Sequence, residues 1–263
     1  MTISSDRPLN DFSNDFLNYK GFSSSLANSI SMYKSSDPLI IGLYGPWGVG
    51  KSTILNMTEK ELELIDLSGN GYEHIVVKFN PWWFTGQENM AKNFIAELSK
   101  VLPEKDESLG KLGSLMENYS DQIGAVFGFA TSLIPVFGQL FSGLVESGVS
   151  KASSDVGANL QVEKNKSIEK IKCEIQSVLK SIERKKIVIF IDDVDRLLPN
   201  ELVQLFSVVK GFGDFYNTIY IMACDKTAAE KSLKSINIDT NYMDKIVQIP
   251  FNVPSINLSL IHI

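Results

Sequence analysis

Cysteine and histidine are both scarce, with two of each in the 263 residues. Cys173 and Cys224 do not have the spacing of a metal-binding motif, and His74 and His262 add no cluster that would suggest zinc. So few cysteines fit a reducing compartment, and the polar N-terminal residues lack the apolar core of a signal peptide. We therefore expect a cytoplasmic protein without a zinc site.

Basic residues are also fewer than acidic ones. The chain has 25 Lys and Arg against 31 Asp and Glu, which gives a net charge of -6. Proteins that hold nucleic acid through its phosphates usually carry a basic face, so no specific nucleic-acid partner is expected. Hydrophobic residues make up 44% of the chain. This share is ordinary for a globular protein with a sizeable core, and the length suits one large domain or a domain with an insertion.

A glycine-rich stretch at residues 45–52 fits the pattern G-x-x-x-x-G-K-[ST] of a phosphate-binding loop. Glycines leave room for backbone N–H groups to approach a phosphate, while the lysine adds a positive charge and the serine hydroxyl can bind Mg²⁺. Residues 38–44 are predicted to form a buried strand before the loop and residues 52–65 a helix after it. The nucleotide-binding residues predicted here are Gly45, Pro46, Trp47, Gly48, Val49, Gly50, Lys51, Ser52 and Thr53.

Acidic residues follow a second buried strand, predicted at residues 187–191. Burying a carboxylate at such a strand end costs free energy unless a cation lies beside it. Asp192 is therefore predicted to bind Mg²⁺ together with Ser52. Asp193 is the candidate that orients or deprotonates the attacking water. Lys51 is a second catalytic candidate through its charge near the phosphates. Arg196 is a third, although a local salt bridge to Asp195 is the commoner outcome for such an arginine.

The nucleotide is predicted to be ATP, because the N-K-x-D segment typical of guanine recognition is missing. Residues 165–168 read N-K-S-I and lie in a predicted helix. The expected cofactors are therefore ATP and Mg²⁺.

Strands and helices alternate along the chain, which predicts an α/β fold with a parallel sheet. The further strands are expected at 74–79, 218–223 and 245–249, and the further helices at 22–33, 87–102, 162–184, 201–210 and 226–235, with Pro103 closing the second of these. Residues 1–102 and 161–263 are assigned to the nucleotide-binding core, and residues 103–160 to an insertion.

Two polar side chains near strand ends, and the aromatic residues after one of them, have competing interpretations. Asn80 lies where ligands approach open α/β sheets, but Asn before Pro is also ordinary turn chemistry, which we favour slightly. Asp225 occupies a similar strand end and would also suit the cap of the next helix. Residues 82–84, Trp-Trp-Phe, are expected to pack in the core.

Residues 122–145 contain no charged side chain. A helix of this length would span about 36 Å, but a single crossing would separate Lys51 from Asp192, which must meet the same nucleotide. Pro135 and several glycines also weaken any straight helix. A peripheral membrane contact at the inner face of the membrane, or a contact with a second copy or a partner protein, is therefore preferred over core packing.

Four blocks of the sequence, in order, resemble the KAP family of P-loop NTPases. They are residues 45–52, 79–82 (FNPW), 192–196 (DDVDR) and 245–251 (KIVQIPF). The resemblance implies a three-layer α/β/α sandwich with sheet order 5-1-4-3-2, hydrophobic segments inserted between the two phosphate-site motifs, and ATPase activity. Bacterial members of the family are associated with the inner membrane and with exclusion of bacteriophages.

The leading interpretation is a Mg²⁺-dependent ATPase that acts as a switch or motor, with a role in phage defence. A nucleotide-binding scaffold that does not hydrolyse ATP, or a membrane or oligomer interaction module built on residues 122–145, are the alternatives.

Deleting residues 121–149 is expected to leave ATP binding intact, because the predicted nucleotide site lies elsewhere in the chain. Solubility should rise and recovery with membranes should fall, as measured by fractionation and liposome flotation. Unfolding of the P-loop domain by the deletion would instead assign the segment to the core.

Overall fold

A computed structural model describes residues 8–10, 12, 15, 17–69, 71–87, 89–130 and 155–254. These residues form two compact units. The first takes its residues from Met1–Trp83, Ile182–Pro199 and Tyr216–Ile263, and the second from Phe84–Ser181 and Asn200–Phe215.

A five-stranded parallel sheet is the centre of the first unit, as far as the chain is described. Its spatial order is β2-β3-β4-β1-β5, which is the predicted order read from the opposite edge. Because every strand runs the same way, the segments that follow the strands meet at one edge of the sheet. The strands are β1 (Leu39–Tyr44), β2 (Glu73–Phe79), β3 (Lys185–Ile191), β4 (Thr218–Cys224) and β5 (Ile249–Asn252).

Helices α1 (Lys20–Ser31) and α2 (Lys51–Leu67) pack on each other and against one face of this sheet. Strands β1, β3 and β4 are continuous apolar runs that are buried nearly throughout, as expected for strands covered on both faces. Alternate residues of β1, Leu39, Ile41 and Leu43, join Leu26 of α1 and Ile54 of α2 in a single hydrophobic cluster. Burial of this cluster fixes the start of α2 beside the end of β1. Helix α7 (Lys226–Lys234) follows β4.

The second unit is helical, in agreement with a helical insertion between the two phosphate-site motifs. Helix α3 (Met90–Lys105) packs on α4 (Gly110–Ala130), and α4 packs on α5 (Asp155–Ser181). Helix α6 (Pro199–Ser207) continues into a π-helical turn at Val208–Phe212. The rings of Tyr119 and Phe215 lie 6.0 Å apart inside this unit, and both side chains are buried.

The last strand differs from its prediction at 245–249, because it begins only at Ile249. Residues Thr240–Lys245 form a 3-10 helix that buries Met243, and the next turn buries Ile246. The Gln248 side chain accepts the Ile40 N–H at 2.6 Å, while the Gln248 N–H donates to the Ile40 carbonyl at 2.9 Å. One residue therefore satisfies the backbone of Ile40 before the ladder of β5 starts.

Pro103 does not close α3 as expected, since the helix continues to Lys105. A proline in the last turn removes only the bond that its own nitrogen would make to the Ser99 carbonyl. Helix α4 was not expected from the polar, glycine-bearing residues 104–119, and α5 begins before the predicted residue 162.

Part of the uncharged segment, residues 122–130, is the end of α4, and residues 131–145 lie outside the described residues. Ile123 on this helix is fully buried. Among the helices that the structure describes, none combines the length and the hydropathy needed to cross a membrane.

Gly113 allows α3 and α4 to approach closely. A Cβ at this position would lie 2.4 Å from Cγ of Pro103 and 2.7 Å from the Ser99 carbonyl oxygen. We expect Gly113→Ala to lower the free energy of unfolding by about 1–3 kcal/mol, although alanine is the better helix former. Chemical denaturation measures the change.

Gly110→Ala is the matched control, because it lies on the same helix and its Cβ would meet no atom within 4 Å. It should leave stability unchanged or raise it. Equal effects of the two substitutions would show that α3 and α4 do not need a glycine at their contact.

Candidate nucleotide-binding site

The loop between β1 and α2 has the backbone of a phosphate-binding loop. Gly48 and Gly50 have φ values of 79° and 88°, a conformation that glycine adopts without strain. Gly50 is the N-cap of α2, so the helix begins at Lys51 and directs its N-terminus towards the loop. Gly45 is held by a bond from its N–H to the Cys224 carbonyl at 3.2 Å. The local structure thus suits an anion, as the motif predicts.

Lys51 lies inside this loop and is 9% exposed. Its ammonium group donates to the carbonyls of Gly45 at 2.9 Å and Pro46 at 3.2 Å. Because an ammonium group has three N–H bonds, a phosphate oxygen can join these two acceptors. Trp47, in contrast, is 72% exposed.

Ser52 and Asp192, the two residues predicted to hold Mg²⁺, are in contact. The Asp192 carboxylate accepts hydrogen bonds from the Ser52 hydroxyl and from the Asp193 N–H, the latter at 2.9 Å. Burial raises the pKa of Asp192 above its usual value, while Ser52 and Lys51 pull it down. Burial has the largest effect on this pKa. The ionised Asp192 carboxylate therefore lowers the stability of the folded state, and a cation nearby would offset this loss.

Thr53, the last of the predicted loop residues, faces the N-terminal segment. Its hydroxyl accepts the Leu9 N–H at 3.2 Å, and Asn56, one turn further along α2, donates to the Leu9 carbonyl at 3.1 Å. The role of Thr53 in nucleotide binding stays a prediction.

Asp193 follows Asp192 in a left-handed conformation with φ 56°. Such a φ is uncommon outside glycine, but aspartate is one of the residues that tolerate it. Both oxygens of its carboxylate are engaged. Asn80 donates to Oδ2 at 3.0 Å, and the guanidinium of Arg196 lies 2.9 Å from Oδ1.

Arg196 pairs with Asp193, so the expected salt bridge to Asp195 was wrong. Asp195 instead accepts the Asp225 N–H at 3.0 Å. The 3-10 turn Val194–Arg196 explains the difference, because it brings residues three apart together. Arg196 also lies over the ring of Trp82, 5.1 Å from its centroid.

Asn80 makes the turn that was slightly favoured for it, and it also contacts Asp193. Its Oδ1 accepts the Trp82 N–H at 3.0 Å, which is turn chemistry, while its amide group holds Asp193. Asp225 caps α7 by accepting the Ala228 N–H at 3.2 Å. The expectation that residues 82–84 pack in the core was wrong for Trp82 and Trp83, which are 50% and 75% exposed.

Tyr19 is the residue at this site that sequence reasoning missed. Its hydroxyl donates to the Val49 carbonyl inside the loop, and its ring lies against Gly50. A tyrosine at the start of a helix carries no motif, so only the packing of α1 on α2 reveals it.

The family model described as the KAP family P-loop domain matches residues 19–262. The chain belongs to this family. A curated relative of this KAP domain is the phage T7 exclusion protein of Escherichia coli (strain K12), which is 26% identical over 265 residues. The alignment covers 95% of the present chain and 34% of that protein, so the KAP domain spans about a third of the relative's length.

Solved structures with similarity include two proteins of Aeropyrum pernix. The ORC1 protein in complex with DNA matches with a TM-score of 0.43 and 12% identity, covering 98% of the KAP domain and 52% of that chain. The ORC2 protein in ADPNP-ADP complexes matches with a TM-score of 0.42 and 10% identity, and the match covers 94% of the present chain and 51% of that chain.

Asp192→Asn is expected to stabilise the KAP domain at pH 7 in the presence of EDTA, as measured by thermal unfolding. The folded pKa of Asp192 is raised, so the folded state binds the proton more tightly than the unfolded state does. The contribution of Asp192 to the stability of the wild type therefore falls as the pH rises above about 3.9, the usual pKa of Asp. The advantage of the variant should narrow as the pH is lowered towards 4.

The control is Asp37→Asn, which changes an exposed carboxylate outside the site and should have little effect. A wild type that is more stable than Asp192→Asn at pH 7, by a margin that does not depend on pH, would contradict the cost assigned to the Asp192 charge.

Proposed function

We propose that this KAP domain binds ATP together with Mg²⁺ and hydrolyses it. The observation that carries the proposal is the hydrogen bond between Ser52 and Asp192, with Lys51 in the same loop. Ser52 follows the phosphate loop and Asp192 follows β3, so the two sequence motifs supply one site. A chance glycine turn would not require a buried carboxylate beside the serine.

The donor set suits Mg²⁺ and a triphosphate. Mg²⁺ prefers oxygen ligands and keeps several waters, so Ser52 and Asp192 would hold it with the phosphates. The ion would supply a positive charge that stabilises the oxygens of the transferred phosphoryl group. The loop glycines leave the backbone N–H groups accessible for the phosphates, and Lys51 adds its charge to them.

The proposed role of Asp193 is to orient a water molecule and accept its proton, since it directly follows the Mg²⁺ candidate at the strand end. Each carboxylate oxygen has two lone pairs, so the water can bind while Asn80 holds Oδ2. Movement of Arg196 away from Oδ1 would leave that oxygen to accept the proton. Arg196 would then be able to reach a phosphate oxygen, which is the catalytic role proposed for it.

A second candidate function is a nucleotide-binding scaffold without hydrolysis. It is favoured by the engagement of both Asp193 oxygens, which leaves the water-activating carboxylate restrained. In that case ATP would stabilise one conformation of a signalling protein.

At the cellular level we propose a switch or motor in phage exclusion. The support is the similarity to the phage T7 exclusion protein, of which the chain matches a third. Residues 122–145 remain the proposed contact with a membrane face, a second copy or a partner protein.

Lys51→Ala should abolish ATP binding, as measured by isothermal titration calorimetry, because the loop loses its charge. Asp193→Asn should bind ATP but hydrolyse it about 10²–10³ times more slowly in single-turnover assays, because only the water-activating step is affected. Removing Mg²⁺ with EDTA should stop hydrolysis of the wild type.

Asp195→Asn is the matched control, because it makes the same change two residues along the chain and keeps an oxygen for the Asp225 N–H. It should turn over like the wild type. Equal rates for Asp193→Asn and the wild type would remove Asp193 from catalysis, and tight ATP binding without any turnover would favour the scaffold.

A further inference from the structure

Tyr19 makes two contacts with one peptide unit of the phosphate-binding loop. Its hydroxyl donates to the carbonyl of Val49. Its ring lies so close to Gly50 that a Cβ there would be 2.9 Å from Cε2 of the tyrosine. Both contacts fall on the peptide that joins Val49 to Gly50.

This peptide is planar and trans, so its carbonyl and its N–H point in opposite directions. The carbonyl is held by Tyr19 from the side of α1. The Gly50 N–H is therefore directed away from the Tyr19 hydroxyl. Since backbone N–H groups cradle the phosphates in loops of this kind, the orientation of this peptide bears directly on anion binding.

The tyrosine is itself held firmly. The Asp15 carboxylate accepts the N–H groups of Tyr19 at 2.9 Å and Lys20 at 2.8 Å, which fixes the start of α1. The Tyr19 side chain is only 4% exposed. Burial, and then Asp15, raise the pKa of its hydroxyl, so the group stays protonated and remains a donor at physiological pH.

We propose that Tyr19 is a positioning residue that orients the Val49–Gly50 peptide for binding the phosphates of the nucleotide. The proposal rests on the proposed nucleotide binding and adds a residue outside both sequence motifs. Without the hydroxyl the peptide is free to rotate, and part of the binding energy is used to orient it.

Tyr19→Phe tests the proposal because it removes the hydroxyl and keeps the ring on Gly50. The loss of one hydrogen bond should weaken binding of Mg²⁺-ATP and Mg²⁺-ADP by about three- to tenfold. AMP has a single phosphate, so its dissociation constant should change by less than about twofold. In steady-state assays KM for ATP should rise by the same factor as the dissociation constant, with kcat unchanged, because ground state and transition state are affected alike.

Tyr33→Phe is the matched control. Tyr33 follows α1, and its ring faces the ammonium group of Lys186 rather than the loop. Removing its hydroxyl should change none of these affinities.

Two outcomes would overturn the proposal while leaving ATP binding established. One is equal affinity of Tyr19→Phe and the wild type for ATP and ADP. The other is a loss of affinity without selectivity. A loss that is the same for AMP as for ATP would assign Tyr19 to recognition of the base, and an equal loss in Tyr33→Phe would assign the effect to the fold. A wild type that binds none of the three nucleotides would instead refute the proposed function itself.

Discussion

The bond between Ser52 and Asp192 depends on the parallel sheet, since it joins the start of α2 to the end of β3. Strand β4 lies between β1 and β3, so the two residues meet only because all the strands end at the same edge. Asp192 is buried there at an electrostatic cost. The hydrophobic cluster that places α2 on the sheet therefore also maintains an arrangement that its charges alone would not favour.

Asp193 is held by side chains from two separate segments of the chain. Asn80 comes from the end of β2, Arg196 from the turn after β3, and both converge on one carboxylate. The guanidinium of Arg196 also lies over the ring of Trp82, whose side chain is half exposed. Both residues that hold Asp193 therefore also contact Trp82, Arg196 through the ring and Asn80 through the backbone N–H, so a change at Trp82 can affect Asp193 directly.

The positions of β1 to β4 and of both motifs could be predicted from the sequence, because buried strands and a glycine-rich loop have strong local patterns. The sheet order was implied by the resemblance to the KAP family rather than by any local pattern. The helix α4 could not be predicted in this way, since Gly110 and Gly113 weaken helix propensity and the contact with α3 accounts for Gly113 alone. The start of β5 depends on a side chain, Gln248, replacing a ladder bond. The Tyr19 contact with the loop and the Arg196 pair with Asp193 likewise depend on tertiary neighbours that no spacing encodes.

All three tryptophans of the chain are exposed to solvent rather than buried in its core. Trp47 lies in the phosphate-binding loop, and Trp82 and Trp83 follow β2 at the same edge of the sheet. Tryptophan emission from this protein is consequently that of water-exposed indoles even in the folded state. The intrinsic fluorescence is a signal for the surroundings of the loop and of the Arg196 side chain, whereas the folding of the core must be followed by other chromophores such as the buried tyrosines.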